Sequence, residues 1–345
     1  MNLRDLSKHL NLSQTTVSRA LNGYPEVGEH TRRRVAQAAE QFNYRPNARA
    51  QRLATGRSMS IGHIIPLSGQ DEIANVVFAD FIAGAGEVYA LHGYTLTLSV
   101  VRDEDEMSAY RGIVDKGAVD GVIVHSPRRD DRRIHHLSSL DIPFLVHGRA
   151  RDCDVPYLWL DVDNQCAFRR GTEHLTALGH ERIGLINGEE ALDFAWRRRE
   201  GYVDALRDAD LQIDPKVMRS GAMSEPFGYR SAREMLAAEQ PPTAFICASI
   251  VLALGVRRAI EDASLTMGKD VSVVCFDDAL SYLPNDGAPP VFTALRSSVR
   301  DAGRRCAQML LAHIDDPSHS TASERWQADL ILGASTGPPP RKATP

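Results

Sequence analysis

The stretch Leu12-Ser13-Gln14-Thr15-Thr16-Val17-Ser18-Arg19 stands between two short segments whose apolar residues recur at helical spacing. These apolar residues are Leu3, Leu6 and Leu10 before the stretch, and Val17, Ala20 and Leu21 within and after it. Asn11 is placed to end the first helix and Ser13 to cap the second, because short polar side chains satisfy backbone groups at helix ends. Two helices joined by so tight a turn predict a helix-turn-helix.

The segment that follows completes a small all-helical domain. Asn22-Gly23-Tyr24-Pro25 breaks the second helix, and apolar residues at helical spacing predict a third helix from about Glu29 to Asn43. Arg45-Pro46 ends the third helix, because the residue before a proline disfavours the α conformation. We therefore predict a helix-turn-helix domain over residues 1–46.

The second predicted helix presents side chains that can donate and accept hydrogen bonds at base edges in a major groove. The candidate contacts are Ser13, Gln14, Thr15, Thr16, Ser18 and Arg19, with Asn22 after the helix. Arg32, Arg33 and Arg34 are placed to meet phosphates, which fixes register but carries no sequence information. Residues 1–57 hold ten Lys and Arg against four Asp and Glu, whereas the whole chain has a net charge of −5. This asymmetry favours a nucleic-acid binder over the alternative, a helical bundle with a solvated polar surface.

From Ser60 onward, short apolar runs alternate with amphipathic stretches typical of helices. Strands are predicted at 61–66, 95–101, 121–124 and 143–146, and again at 183–186, 244–247 and 272–276. The alternation predicts two doubly wound parallel-sheet lobes, with ligands binding at the carboxyl ends of the strands. We assign residues 59–335 to this body, the first lobe spanning about 59–150 and 278–305 and the second about 151–277 and 306–335.

Two segments are predicted to have no stable structure of their own. Residues 47–58 form a linker whose stretch Asn47–Ala54 is too short to be a stable isolated helix. The tail 336–345, which contains Pro338-Pro339-Pro340, has no means of packing and is predicted to be disordered.

Composition and motifs exclude several classes of protein. A hydrophobic fraction of 43% and a charged fraction of 25% are those of a soluble globular protein, and no apolar run is long enough for a membrane span. The polar start predicts no secretory leader, and the five widely spaced cysteines predict reduced thiols in the cytoplasm rather than a disulfide or zinc framework. No phosphate-binding, metalloprotease or nucleophile-elbow motif occurs, so we expect no enzyme, no metal and no cofactor.

The adjacent carboxylates Asp277-Asp278 point in different directions if they end a strand, which argues against a role in general acid–base catalysis.

The head resembles that of the lactose-repressor (LacI/GalR) family of transcription regulators. The resemblance rests on Leu12–Gly23, Thr31–Val35, Asn43–Asn47 and Ala50–Leu53 in the head and linker. It continues in the body at Asp163-Asn164, Glu173–Gly184, Arg198 before Gly201-Tyr202, Ala253–Gly255, Val274–Asp278 and Ser335–Pro339. It therefore spans nearly the whole chain and implies a periplasmic-binding-protein-like body that senses a small molecule.

For DNA binding, the resemblance implies that Gln14 and Thr15 read bases and that Arg19 makes a further base or phosphate contact. It also implies that Asn47–Ala54 is a hinge helix formed when two subunits meet on DNA. Leu53 would then wedge between base pairs in the minor groove, although an ordinary core leucine is the alternative. The implied DNA-binding set is completed by Tyr44, Asn47 and Ala50.

For the body, the resemblance implies a sugar effector held by Arg198 and Asp277, with Asp163 or Asn164 next in rank. Pro66, Ser68, Phe78 and Ser249 are the remaining pocket residues implied by the resemblance, and His125, His147 and Arg149 are added because of their position after the third and fourth strands. Phe78 is placed to supply a stacking face, and the histidines follow strands at their carboxyl ends. A single histidine is more often a hydrogen-bonded structural residue, and the run Arg197-Arg198-Arg199 can also be the solvated start of a helix.

Two departures from the family pattern bear on the prediction. Ser249-Ile250 stands where the family usually has a polar residue followed by Asp, which leaves the effector open between a disaccharide such as an α-glucoside and a purine or phosphosugar. No leucine heptads follow the body, so the resemblance implies a homodimer on a near-palindromic operator rather than a tetramer. A repressor is the first expectation, an activator is the alternative, and a solute-binding protein is a remote one.

Overall fold

The computed structural model describes residues 2–21, 24–42, 44, 56–66, 76–277, 279–317 and 322–340. Of Asp277, the backbone is described but the side chain is not. The chain divides into two compact units, residues 1–59 and 60–345.

The first unit contains three helices, α1 (Leu3–Leu10), α2 (Gln14–Leu21) and α3 (Glu29–Gln41). Asn11 ends α1 in the left-handed conformation, as the sequence predicts. The hydroxyl of Ser13 accepts the N–H of Thr16 at 3.0 Å, which confirms Ser13 as the cap of α2. Leu6, Val17 and Val35 are fully buried, one from each helix, so the three helices share one core.

The third helix ends two residues earlier than predicted. Its last residue is Gln41, and the N–H of Phe42 still donates to the carbonyl of Ala38 at 3.0 Å. The predicted stops at Asn22-Gly23 and Arg45-Pro46 and the predicted hinge helix lie outside the described residues.

The second unit contains two six-stranded sheets. The first-lobe sheet has the order β11-β5-β4-β3-β1-β2 and the second-lobe sheet the order β12-β10-β9-β8-β6-β7. The strands are β1 (Ser60–Pro66), β2 (Thr95–Val101), β3 (Gly121–His125), β4 (Phe144–His147), β5 (Leu158–Val162), β6 (Ile183–Asn187), β7 (Met218–Ser220), β8 (Ala244–Cys247), β9 (Ser272–Asp277), β10 (Thr293–Arg296), β11 (Glu324–Trp326) and β12 (Asp329–Ile331). All neighbouring pairs are parallel except β10–β12. Central strands such as β3, β6 and β8 are buried along their whole length, as expected for parallel strands covered on both faces.

The helices of this unit cover both sheets. They are α4 (Val76–Leu91), α5 (Glu106–Asp115), α6 (Arg132–Ser139), α7 (Asn164–Ala177), α8 (Asp193–Asp208), α9 (Glu225–Leu236), α10 (Ile250–Asp262) and α11 (Val299–Asp315). Helices α4 and α11, α7 and α8, and α9 and α10 pack as close pairs. No helix in the described part of the chain is long and apolar enough to cross a membrane.

The sheet order corrects the predicted lobe boundaries. Strand β5 belongs to the first lobe although residues 151–277 were assigned to the second, and β10 belongs to the second although residues 278–305 were assigned to the first. Helix α11 packs against α4 and the first-lobe sheet, and β11 joins that sheet. The predicted boundaries also give three crossings between the lobes, at about 150, 277 and 305, but the chain crosses after β5, β10 and β11. The physical reason is that pairing with strands distant in sequence decides which sheet a strand joins, and this pairing leaves no local signal.

The beginning of the tail is ordered, contrary to the prediction for residues 336–345. The carbonyl of Gly337 accepts from the hydroxyl of Ser272 at 2.9 Å, and its N–H donates to the same hydroxyl at 3.0 Å. The hydroxyl of Thr336 lies 2.8 Å from that of Thr293. The edge of the second lobe thus holds the start of the tail, while residues 341–345 lie outside the described part.

Candidate functional site

Helix α2 has one face in the core of the head and one face in solvent. Val17 and Ala20 are buried, whereas Gln14, Thr15 and Arg19 are exposed. Ser13 is exposed as well, and Thr16 and Ser18 are half-buried. The exposed face therefore carries an amide, a hydroxyl and a guanidinium, which are groups able to read base edges.

The other predicted DNA contacts have mixed outcomes. Tyr44 packs against the core of the head, its N–H donates to the carbonyl of Ala39 at 2.8 Å, and burial raises the pKa of its phenol. Arg32 donates to the carbonyl of Val27 at 2.9 Å, and Arg34 reaches the carbonyl of Leu10 at 3.3 Å. Arg33 pairs with Glu29, and both are well exposed. Asn22, Asn47, Ala50 and Leu53 lie outside the described residues.

Two adjacent cavities lie between the lobes of the body, at the carboxyl ends of the strands. The inner cavity has a volume of about 140 Å³ and includes His147, Arg149, Asn164, Arg198 and Ser249 in its lining. The outer chamber has a volume of about 870 Å³ and includes Pro66 and His125 in its lining. Residues Ser126, Phe194 and Met223 line both, so the two cavities are adjacent.

Arg198 is the fixed cation of the inner cavity. Its Nε donates to the side-chain oxygen of Asn164 at 2.7 Å, and its Nη1 donates to the carbonyl of Ala248 at 2.7 Å. The guanidinium lies over the ring of Phe276 at 4.1 Å and also faces Phe194 at 4.9 Å. Since Arg198 is only 7% exposed, the alternative of a solvated helix start is wrong for this residue.

A buried carboxylate, Asp161, organises the opposite wall of the inner cavity. Its Oδ2 accepts from Arg149 at 3.0 Å and from Arg197 at 2.5 Å, and its Oδ1 accepts from the amide of Asn164 at 3.4 Å. Asp161 is 3% exposed and Arg197 is 4% exposed. Each of the two guanidiniums offsets part of the cost of removing this carboxylate from water.

Three histidines form a cluster, with His63 buried in the middle of β1, His125 buried at the end of β3 and His147 half-buried at the end of β4. Nδ1 of His63 lies 2.9 Å from Nε2 of His125, and the two rings are stacked. The ring of His147 lies edge-on to that of His125, at 6.1 Å between centroids. Burial lowers the pKa of His63 to about 3 and that of His147 to about 4, and it also lowers the pKa of His125 well below its usual value. The cluster is therefore uncharged at neutral pH.

The remaining predicted pocket residues divide into those that the structure brings to the cavities and those that it does not. Ser249 lines the inner cavity while its hydroxyl caps α10 by accepting the N–H of Leu252 at 3.2 Å. Asp163 is instead the cap of α7, where it accepts the N–H of Cys166 at 3.2 Å. Phe78 lies edge-on to His125 at 5.1 Å and supports the histidine cluster rather than lining either cavity. The side chains of Ser68 and Asp277 lie outside the described part.

The sequence analysis missed Asp161, Arg197 and the aromatic rings of Phe194 and Phe276. Asp161 is the next-to-last residue of β5, and a carboxylate near the carboxyl end of a strand is the signal that could have identified it. Arg197 was hidden in a run of three arginines, and only the path of α8 shows which of them turn inward.

The arrangement suits a neutral, hydroxylated ligand. A guanidinium, an amide and a carboxylate converge with an aromatic ring, and such a set can orient hydroxyl groups while an apolar face covers a ring. The outer chamber adds carboxylates, including Asp103, Glu106 and Glu225, that can accept hydrogen bonds from further hydroxyls.

Comparison with known proteins agrees with both units. The family described as bacterial regulatory proteins, lacI family, matches residues 2–47, and a periplasmic binding protein-like domain matches residues 172–336. The HTH-type transcriptional regulator AglR of Rhizobium meliloti (strain 1021) is 43% identical over 343 residues, covering 99% of this chain and 96% of AglR. The HTH-type transcriptional regulator RafR of Escherichia coli is 31% identical and covers 98% of this chain and 99% of its own.

Solved structures give the same result. The lac repressor dimer bound to operator and the anti-inducer ONPF aligns with a TM-score of 0.81 and 27% identity, covering 98% of this chain and 99% of that one. The complex of the transcriptional regulator CelR with cellobiose aligns with a TM-score of 0.70 and 25% identity, covering 97% of this chain and 99% of that one.

A helix-turn-helix head on a two-lobed, periplasmic-binding-protein-like body defines a DNA-binding transcription regulator and not an enzyme. The chain belongs to the LacI family of bacterial transcription regulators.

Proposed function

We propose that this regulator is a cytoplasmic repressor that binds a near-palindromic operator as a homodimer, and that a sugar bound between its lobes controls the binding. The observation that carries the proposal is the inner cavity, where Arg198, Asn164 and Phe276 meet between two lobes of a chain that also bears an exposed recognition helix. A ligand held by both lobes binds one arrangement of the lobes more tightly than the other. It therefore shifts the equilibrium between the two arrangements.

The DNA-binding part of the proposal rests on the exposed face of α2. Gln14, Thr15 and Arg19 are exposed and can enter a major groove, because Val17, Ala20 and Leu21 anchor the opposite face of the helix to the core. Two such heads related by a dimer axis read two half-sites of opposite orientation, so the operator is near-palindromic.

The homodimer is supported by an apolar surface on the first lobe and its neighbourhood. Strand β2 is the edge of its sheet, and it exposes Leu98 and Val100. Leu91 at the end of α4 is 84% exposed, and Tyr282 is 86% exposed. An exposed edge strand with apolar side chains favours association with another chain. The lac repressor structure, which is a dimer on its operator, supports a second copy as the partner.

The proposed effector class rests on the two adjacent cavities. The inner cavity has a volume of about 140 Å³ and the outer chamber one of about 870 Å³, and the proposal is that a ligand longer than one ring extends from one into the other. A disaccharide, with an α-glucoside as the first candidate, fits this shape and the uncharged histidine cluster nearby. The cellobiose complex of CelR supports a disaccharide as well.

Isothermal titration of the full-length chain with a panel of ligands tests the effector. The panel contains maltose, sucrose, trehalose, cellobiose, glucose, a hexose 6-phosphate and a purine base. We expect a disaccharide to bind and the phosphosugar and purine to give no heat. Binding of the purine or the phosphosugar alone would show that the effector belongs to that class and is not a neutral sugar. Binding of none of the panel would contradict the proposed effector.

A further inference from the structure

The two lobes also touch beside the inner cavity, along a contact that the sugar site does not require. The N–H of Asp193, at the start of α8 in the second lobe, donates to the carbonyl of Pro127 in the first lobe at 3.0 Å. Next to it, Arg128 and Leu192 form an antiparallel bridge. We call the segments 127–129 and 149–151 of the first lobe, with 192–197 of the second, the inter-lobe latch.

An aromatic ring of the second lobe is held by two cations of the first lobe. The guanidinium of Arg151 lies 3.7 Å from the centroid of a ring of Trp196, and that of Arg129 lies 5.1 Å from it. Arg129 is itself fixed by Asp152 at 3.0 Å. Cations over an indole face are attracted by its quadrupole, and Trp is the strongest of the aromatic partners.

A buried ion network runs under this contact and crosses between the lobes. Arg197 of α8 donates to Asp161 of β5 at 2.5 Å and pairs with Asp193 at 2.7 Å. All three side chains are 5% exposed or less. Separating the lobes here would remove Arg197 from Asp161 and leave that buried carboxylate with Arg149 as its remaining guanidinium partner. Loss of one of two partners from a buried charge is unfavourable, because less of the cost of desolvation is offset.

The latch is continuous with the effector site. Asp161, which receives Arg197 from the second lobe, also holds Arg149 at the wall of the inner cavity. Asn164, which donates to Asp161, accepts from Arg198 at 2.7 Å. The same carboxylate thus contacts the latch and the residues that face the ligand.

We propose that the inter-lobe latch sets the balance between the closed and open arrangements of the lobes, and that Trp196 and Arg197 are positioning residues for the effector response. Opening breaks the Asp193–Pro127 hydrogen bond, the Trp196 contacts and the Arg197–Asp161 ion pair together, because all three join the start of α8 to the first lobe. A weaker latch lowers the fraction of closed chains and lowers the apparent affinity for any ligand that binds the closed form by the same factor. The part that concerns the effector rests on the proposed function, whereas the closure itself does not.

The test compares the full-length double variant Arg129→Ala/Arg151→Ala with the wild type and with Arg199→Ala. Arg199 lies on the same helix but pairs with Glu190 and Glu200 of its own lobe, so it is a matched control. Arg151 is exposed and Arg129 pairs at the surface, so the double variant is expected to fold. Hydrogen–deuterium exchange is followed at the amide of Asp193, and small-angle scattering gives the radius of gyration.

We expect the Asp193 amide of the double variant to exchange at least tenfold faster, with unchanged protection in β6 and a larger radius of gyration. The Arg199→Ala control is expected to match the wild type in both measurements. An unchanged exchange rate at the Asp193 amide would contradict the proposed latch. Faster exchange with an unchanged radius of gyration would also contradict it, because that combination indicates local fraying and not opening of the lobes. Neither measurement needs DNA or a ligand, so failure of the latch and failure of the proposed function are distinguishable.

A functional measurement completes the test. Operator affinity of the ligand-free double variant is compared with that of the wild type by fluorescence anisotropy, at fixed salt because phosphate contacts make affinity salt-dependent. We expect a shift of at least threefold, because the lobe equilibrium changes, while Arg199→Ala stays within twofold. Equal operator affinities in a double variant that is open by scattering would contradict the role of Trp196 and Arg197 in the response.

Discussion

At the scale of single residues, the effector site depends on side chains whose positions are fixed before a ligand arrives. Arg198 has two hydrogen bonds to fixed acceptors and stacks on Phe276. A planar guanidinium can make both hydrogen bonds and the stacking contact at once, whereas an ammonium group is a point charge on a flexible stem. Because the guanidinium is already ordered before binding, ligand binding does not have to supply the free energy of ordering it.

Arg198→Lys is therefore expected to reduce disaccharide affinity at least tenfold, which corresponds to about 1.4 kcal/mol. The charge is kept, but the hydrogen bonds to Asn164 and to the carbonyl of Ala248 cannot both be kept. Titration calorimetry measures the change, with Arg199→Lys as the control on the next residue of the same helix. Equal disaccharide affinities in Arg198→Lys and Arg199→Lys would show that Arg198 does not contribute to binding the sugar.

The histidine cluster makes the body sensitive to mild acid. The folded pKa values of His63 and His147, about 3 and about 4, lie below that of an unfolded histidine, about 6.5. The unfolded state therefore binds more protons as the pH falls through 6.5. The stability of the folded form is complete above pH 6.5 and falls by about 1.4 kcal/mol per pH unit for each such histidine until the folded pKa is reached.

Urea unfolding at pH 7.5 and pH 5, followed by tryptophan fluorescence, checks this expectation for the body, which holds all three tryptophans, Trp159, Trp196 and Trp326. The wild type should be less stable at pH 5. In His147→Gln the free energy of unfolding at pH 7.5 reports only the packing cost of the substitution. The decrease in the free energy of unfolding between pH 7.5 and pH 5 should be smaller in this variant than in the wild type. The same pH dependence in both proteins would show that His147 does not titrate on unfolding.

At the scale of elements, glycine sets how closely the paired helices approach. A methyl group at Gly201 of α8 would overlap the carbonyl oxygen of Gln165 in α7, and one at Gly303 of α11 would overlap that of Phe81 in α4. Gly255 of α10 meets Glu225 of α9 in the same way. The sequence therefore fixes three helix crossings, and one of them holds α8, which carries both Arg198 and the latch.

Gly201→Ala is accordingly expected to destabilise the body by about 1–3 kcal/mol or more, since a carbonyl cannot move aside as a flexible side chain can. Gly112→Ala in α5, where a methyl group would meet nothing within 4 Å, is the control. The control is expected to be neutral or more stable by up to about 1 kcal/mol, because alanine favours a helix. Thermal unfolding measures both, and similar melting temperatures for the two variants would contradict the crossing geometry.

The recognition helix gives a second prediction at this scale. Gln14 is exposed on α2, so Gln14→Ala leaves the core of the head unchanged and removes an amide that can bind a base edge. Discrimination at the contacted base pair should fall by about 1–3 kcal/mol, with little change in binding to unrelated DNA. Competition between the operator and single-base variants measures it. A uniform loss over all sequences would indicate a phosphate contact instead.

The sequence alone predicts those helices and strands whose position is decided by residues within the element itself. The head helices follow from local features, since Asn11 and Ser13 act on their own helices. The central strands follow from apolar runs. Strand β7 has three residues, and the lobe that receives β5 or β10 is decided by pairing with distant strands. Those assignments have no local signal.

The same distinction holds for the site. The resemblance to a known family pointed to Arg198 and Asn164, and the structure joins them in one hydrogen bond. It also pointed to Asp163, which the structure uses as a helix cap. Asp161 and Arg197 come from β5 and α8, and no spacing in the sequence links the two.

At the scale of the whole molecule, the chain combines a DNA-reading unit with a body whose two lobes enclose a polar cavity. The proposed control requires that occupancy of the cavity and binding of the operator change one another's free energy by the same amount. A ligand with equal affinity for both lobe arrangements would change nothing, however tightly it bound. The account therefore depends on the coupling and not on either affinity alone.

The most direct test measures operator affinity of the full-length chain with and without saturating disaccharide, in the wild type and in Arg198→Lys. The operator is a near-palindromic site selected from random-sequence DNA, and fluorescence anisotropy at fixed salt gives the dissociation constant. The account predicts a change of at least tenfold in the wild type, and in Arg198→Lys the half-maximal change requires at least tenfold more sugar. Equal operator affinity in the wild type with and without every sugar of the panel would contradict it.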